Sequence, residues 1–90
     1  MRLYDKKKEK ISEQILALLY FQSPKSLFTS NIAQEIARDE EFTKKLLIDL
    51  KVKKLSVEIK KNPKGIMYSR RSRWNLSDKT YVVYKRLNDT

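Results

Sequence analysis

Ile11, Ile15, Leu18 and Leu19 recur at the spacing of one helix face, with Leu16 and Phe21 widening it. The pattern predicts a first helix over 7–22. Ser23-Pro24 ends it, because proline disfavours helical backbone in the residue before it. Leu27 and Phe28 form an isolated apolar pair, read either as a very short strand or as core plugs. Thr29 is suited to cap the next helix through its hydroxyl. Ile32, Ala33, Ile36 and Ala37 then make one apolar stripe, predicting a second helix over 30–37 with Ser30, Asn31 and Gln34 on its polar side.

Arg38-Asp39 reads as the turn into a third helix over 40–54. Asp39 caps it, and Glu40 and Glu41 suit the positive end of its dipole. Phe42, Leu46, Leu47 and Leu50 supply its buried face, and Lys44 and Lys45 fall on the other faces. Beyond it the period changes to two. Leu55, Val57 and Ile59 alternate with Ser56, Glu58 and Lys60, predicting a half-buried strand over 55–60.

Asn62-Pro63-Lys64-Gly65 fits a type I turn position by position. A return strand over 67–75 follows, with Tyr68, Ser72, Trp74 and Leu76 on one parity and Arg71 and Arg73 on the other, facing solvent. Ser77 caps a final helix over 78–87, whose apolar side is Tyr81, Val82, Tyr84 and Leu87.

The chain of 90 residues reads as a single domain over 1–90. Its 21 Lys and Arg against 11 Asp and Glu give a net charge of +10, and the pI is about 9.9. So large an excess on so small a body attracts polyanions, of which nucleic acid is the commonest. An anionic membrane surface, an acidic protein and a merely soluble lysine-rich surface are the other readings.

There is no cysteine and no histidine. Disulfides, thiol nucleophiles, the usual zinc ligands and the commonest general base are therefore excluded. With no glycine-rich phosphate loop either, the chain reads as a non-enzyme needing no cofactor. Asp39, Glu40 and Glu41 are accounted for by capping and the helix dipole rather than by a metal. No apolar run approaches a membrane span and no secretory signal opens the chain, so the expected location is the cytoplasm or its nucleoid.

The order helix, helix, helix, strand, strand, helix resembles the winged helix-turn-helix superfamily, nearest in pattern to MarR-like and archaeal transcriptional regulators. The resemblance covers about 11–87. It is carried by the Thr29-Ser30-Asn31-Ile32-Ala33 opening of the second helix, by Leu47, Leu50 and Leu55, by the Asn62-Pro63-Lys64-Gly65 tip and by the Trp74-Asn75-Leu76-Ser77 exit. It implies an α+β fold: a three-helix core, a two-stranded hairpin wing and a C-terminal helix.

It also implies a duplex DNA partner, with the third helix in the major groove. Glu41, Lys44, Lys45 and Ile48 would then lie nearest the bases, and Thr43 would face either core or groove. Ser30, Asn31 and Gln34 would approach phosphates. Lys60, Lys61, Lys64, Arg70, Arg71 and Arg73 would reach flanking phosphates or the minor groove. The alternatives are a protein-interaction module and an RNA-binding subunit of a larger complex.

The chain departs from the family pattern in three ways. Glu40 and Glu41 put negative charge at the tip of the third helix, and Lys54 stands where a glycine usually closes it. The long flanking helices of MarR-like regulators are missing from this sequence. The fold and the DNA-facing surface are therefore carried over, but not effector sensing, and no small-molecule ligand is implied. Lys6, Lys7, Lys8 and Lys10 read as a solvated helix start or as a phosphate clamp. Trp74 and Tyr68 read as core more than as base-stacking platforms. Tyr20, Phe21 and the Tyr81–Tyr84 stretch exceed what one small core needs, which points to a homodimer.

Overall fold

The computed structural model describes residues 3–89, with side chains from Lys6 onward. In chain order the elements are α1 (Leu3–Gln22), β1 (Leu27–Phe28), α2 (Thr29–Glu35), α3 (Glu40–Val52), β2 (Ser56–Ile59), β3 (Arg73–Leu76) and α4 (Asp78–Asn88). The helix α1 starts earlier than the apolar pattern indicated. Neither proline nor glycine interrupts 3–10, and the four lysines and Glu9 there are good helix formers. No helix of the described residues is long and apolar enough to cross a membrane.

One core holds these elements together. Ile15 and Leu19 of α1, Ile32 of α2, Leu47 of α3 and Trp74 of β3 are all fully buried in it. The sheet is three-stranded and antiparallel in the order β1-β3-β2, not a two-stranded hairpin. The pair Leu27–Phe28 is its third strand, opposite Trp74 and Arg73. Trp74 therefore sits on the central strand, and its indole Nε1–H donates to Thr29 Oγ1 at 2.8 Å. That bond uses the hydroxyl expected to cap α2. The helix begins at Thr29 itself, with Phe28 in the cap position and no side-chain cap.

Two of the anticipated caps do form. Asp39 accepts from Phe42 N and Ser77 from Thr80 N. The C-terminal ends of α2 and α3 close alike. Arg38 N donates to Ala33 O and Ala37 N to Gln34 O; Leu55 N donates to Leu50 O and Lys54 N to Lys51 O. This is the Schellman arrangement, which needs one residue in left-handed backbone, usually glycine. Here Ala37 (φ 55°) and Lys54 (φ 63°) take that role.

A side chain in that region costs about 1–2 kcal/mol, partly offset by glycine's greater entropy when unfolded. Lys54→Gly should therefore stabilise the chain by about 0.5–1 kcal/mol and raise its melting temperature by about 3–5 °C. Lys54→Ala should not, and an equal gain from alanine would assign the effect to charge instead.

The hairpin departs most from the alternation read in the sequence. The register pairs Ser56 with Leu76, Glu58 with Trp74 and Ile59 with Arg73. Ser56 is buried and Val57 is exposed, the reverse of the expected faces. The buried Ser56 faces α3, where its hydroxyl donates to Leu47 O at 3.3 Å.

Beyond Ile59 and Arg73 the next pair is the bridge Lys61↔Met67. The chain advances two residues on one side and six on the other, so four extra residues are looped out before β3. The return strand thus begins at Arg73, not at 67. The turn itself is as anticipated: Gly65 N donates to Asn62 O, and Asn62 Oδ1 accepts from Lys64 N and Ile66 N.

Candidate nucleic-acid interface

The helix α3 divides its residues by face. Thr43, Leu46, Leu47 and Leu50 are buried, while Lys44, Lys45 and Ile48 are exposed. Thr43 is a core residue, fully buried, with its hydroxyl donating to Asp39 O at 2.8 Å. It is thereby removed from the candidate contact set. On α2, Ser30, Asn31 and Gln34 are all exposed.

The looped-out segment brings its arginines toward the start of α3. Lys44 of α3, Lys60 just beyond β2, and Arg70 and Arg71 of the loop line one cleft of about 370 Å³. Glu40 and Glu58 line it too, so four cations face two carboxylates. Lys45 and Ile48 lie in a separate groove of about 420 Å³, which Lys8 of α1 also lines. Asn31 and Arg73 line a third, beside Pro24 and Lys25. Lys61 and Lys64 are exposed toward the hairpin tip.

Arg73 is not the free outward cation that parity indicated. It is half-buried, its Nη2 donates to Lys61 O at 3.2 Å, and its Nε is buried without a hydrogen-bond partner. Tyr68 is not in the main core either. It folds over the outer face of the sheet, its ring 5.3 Å from that of Phe28. The loop frees it from the strand parity that would have turned it inward.

Glu58 is the residue that sequence reasoning missed. Alternation placed it outward, yet its side chain is only 10% exposed. It accepts from Lys51 Nζ at 2.8 Å and from Ser72 Oγ at 2.6 Å, tying the last turn of α3 to the arginine loop. Its pairing with Trp74 across the sheet is the signal that would have found it.

Burial acts to raise the Glu58 pKa. The hydrogen bonds from Lys51 and Ser72, with the positive charges of Lys51 and Lys60, together outweigh it, and the carboxyl titrates below the usual range. A depressed folded-state pKa contributes stability that is present above the unfolded value, about 4.3, and lost as pH falls through the folded one. The stability difference between the native chain and Glu58→Gln should therefore shrink as pH is lowered below about 4. Denaturant melts across that range measure it, and a pH-independent difference would contradict the tie.

No protein-family model matches the sequence, and no curated protein does. Solved structures do match. The MepR–DNA complex of Staphylococcus aureus superposes with a TM-score of 0.72 at 21% identity, covering 96% of this chain and 70% of MepR. An apo ZitR variant of Lactococcus lactis gives 0.71 at 21%, covering 96% and 60%. The transcriptional regulator PcaV of Streptomyces coelicolor, in complex with its natural ligand, gives 0.64 at 22%, covering 86% and 50%. This chain thus spans between half and two thirds of the length of ZitR and PcaV. With four helices, a three-stranded antiparallel sheet and these superpositions, the chain has the winged-helix fold of the MarR-family regulators MepR, ZitR and PcaV.

Proposed function

We propose that this chain is a DNA-binding protein, a small transcriptional regulator that grips duplex DNA between α3 and the basic loop of its wing. One observation carries the reading: Lys44, Lys60, Arg70 and Arg71, drawn from three separate stretches of sequence, converge on one cleft between helix and wing. The net charge of +10 supports it, as does the likeness to a winged-helix protein solved on DNA. Phosphate contacts supply the affinity; on α3, Lys44 reaches a phosphate at the edge of the groove, and Lys45 and Ile48, with Lys44, supply base discrimination. Ser30, Asn31, Gln34, Lys61 and Lys64 make flanking contacts, and Arg73 braces the hairpin.

The active form in this proposal is a homodimer working in the cytoplasm on the nucleoid, and it is not an enzyme. Tyr20 packs on Phe21, Tyr81 and Tyr84 with ring centroids 5.5–5.7 Å apart. Around this cluster Phe21 is 72% and Leu87 68% exposed, an apolar face between α1 and α4 for a second copy to cover.

The test is equilibrium binding to duplex DNA over a salt series. The affinity should fall steeply with salt, as counterion release requires, and a flat response would refute the proposal. A second reading, a protein-interaction module, is favoured by Glu40, whose carboxylate lines the same cleft. Glu40→Gln separates the two. On DNA it relieves phosphate repulsion and strengthens binding by about threefold to tenfold. No change in duplex affinity would favour the protein partner.

A further inference from the structure

We infer that Phe28 and Tyr68 are positioning residues for DNA binding: an aromatic cradle that holds Arg71 ready to meet the duplex. The inference rests on the DNA-binding reading above and adds to it how the loop is ordered. Arg71 lies in the four-residue excursion Ser69–Ser72, between Tyr68, whose N–H still bonds Lys60 O, and Arg73, where the ladder resumes. Such a loop does not by itself fix the direction of a long side chain.

The guanidinium carbon of Arg71 nevertheless lies 4.5 Å from the Phe28 ring centroid and 5.6 Å from that of Tyr68. Both are within the roughly 6 Å over which a ring face attracts a cation. The two rings meet edge to face at 74°. Phe28 is itself fixed, since it pairs with Arg73 in the sheet and begins the turn into α2. The cradle therefore transfers the rigidity of the sheet to a loop residue.

Stacking uses the face of the guanidinium and leaves the donors at its edge directed outward. Arg71 is exposed and lines the cleft that also holds Lys44 and Lys60. A stacked arginine there has lost much of its rotamer freedom before any phosphate arrives, so less is lost on binding. Tyr68 also has Arg73 over its ring at 5.7 Å, but the Arg73 Nη2 is bonded to Lys61 O, so Phe28 is the ring that serves Arg71 alone.

The experiment measures binding of a labelled mixed-sequence DNA duplex over a salt series, for the whole chain and its variants. Phe28→Leu and Tyr68→Leu should each weaken binding about twofold to fivefold with the salt slope unchanged, because no charge is lost. Arg71→Ala should reduce that slope by about one. In the Arg71→Ala background Phe28→Leu should cost nothing further, and Phe28→Tyr should retain native affinity. A Phe28→Leu loss that is the same with and without Arg71, or no loss in the native background, overturns the proposal.

An independent reading comes from the free protein. NMR should show the Arg71 δ protons shifted upfield by the rings, natively and in Phe28→Tyr but not in Phe28→Leu. Absence of that shift from the native chain refutes the cradle without reference to DNA. A present shift with no duplex binding at any salt refutes the DNA reading, and the presenting role with it.

Discussion

Trp74→Ala should cost about 3–5 kcal/mol, the largest single loss available in this molecule. Trp74 has no exposed surface, stands on the central strand between Leu27 and Glu58, and donates its indole N–H to Thr29. Truncation removes the ring's packing and leaves a cavity that α1 and the sheet can only partly close. It also leaves the Thr29 hydroxyl buried without its donor. A domain of this size has a total stability of roughly 5–13 kcal/mol, so the variant should melt far below the native chain or be largely unfolded at 37 °C. Far-UV circular dichroism is the measurement, because Trp74 is the only tryptophan and its fluorescence disappears with it. Thr29→Val isolates the polar part and should cost about 1–3 kcal/mol. A Trp74→Ala loss below 1 kcal/mol would show that the ring is not the keystone its burial indicates.

The second large effect is on binding. Replacing Lys44, Lys60, Arg70 and Arg71 together by alanine lowers the net charge from +10 to +6. All four are exposed, so the fold should be retained. If each meets a phosphate, the slope of log affinity against log salt should flatten by about 3.6, at about 0.9 per contact. The native chain would then lose roughly a hundredfold more affinity than the variant between 50 and 200 mM salt. The control removes four equally exposed cations elsewhere: Lys6, Lys79, Lys85 and Arg86. It has the same net charge and should flatten the slope far less. Equal effects from both sets would mean that the overall field attracts DNA and that the cleft has no special part.

Much of the helical architecture was legible because it is local. The buried face of α3 follows from Leu46, Leu47 and Leu50, and the caps Asp39 and Ser77 act within three residues of themselves. The turn at Asn62–Gly65 is local in the same sense. The sheet was less legible because its facts are non-local. Leu55, Val57 and Ile59 look like an inner face, but the inner positions go to Ser56 and Glu58, since Leu47 of α3 and Ser72 of the loop lie there.

No local signal marks the excursion before β3. Ser69 to Ser72 continue an unbroken polar run, so parity carried from Trp74 back to Tyr68 crosses a loop that cancels it. Of the candidate site, the exposed cations were identifiable by type. Which of them share a cleft was not, because that depends on how the loop returns to α3. Thr43 shows the limit from the other side: its polarity suggested a contact, and its hydroxyl is satisfied by the backbone one turn earlier.

The junction of β1 and α2 contains no spare residue. Phe28 closes the sheet and Thr29 opens the helix; Thr29 N donates to Ser72 O while its hydroxyl holds Trp74. Wing and helix α2 are therefore a lever without a joint at this point. The arginine loop and α2 thus share one residue, Thr29, and the next break in regular structure is the 36–39 connection between α2 and α3, where Ala37 is left-handed.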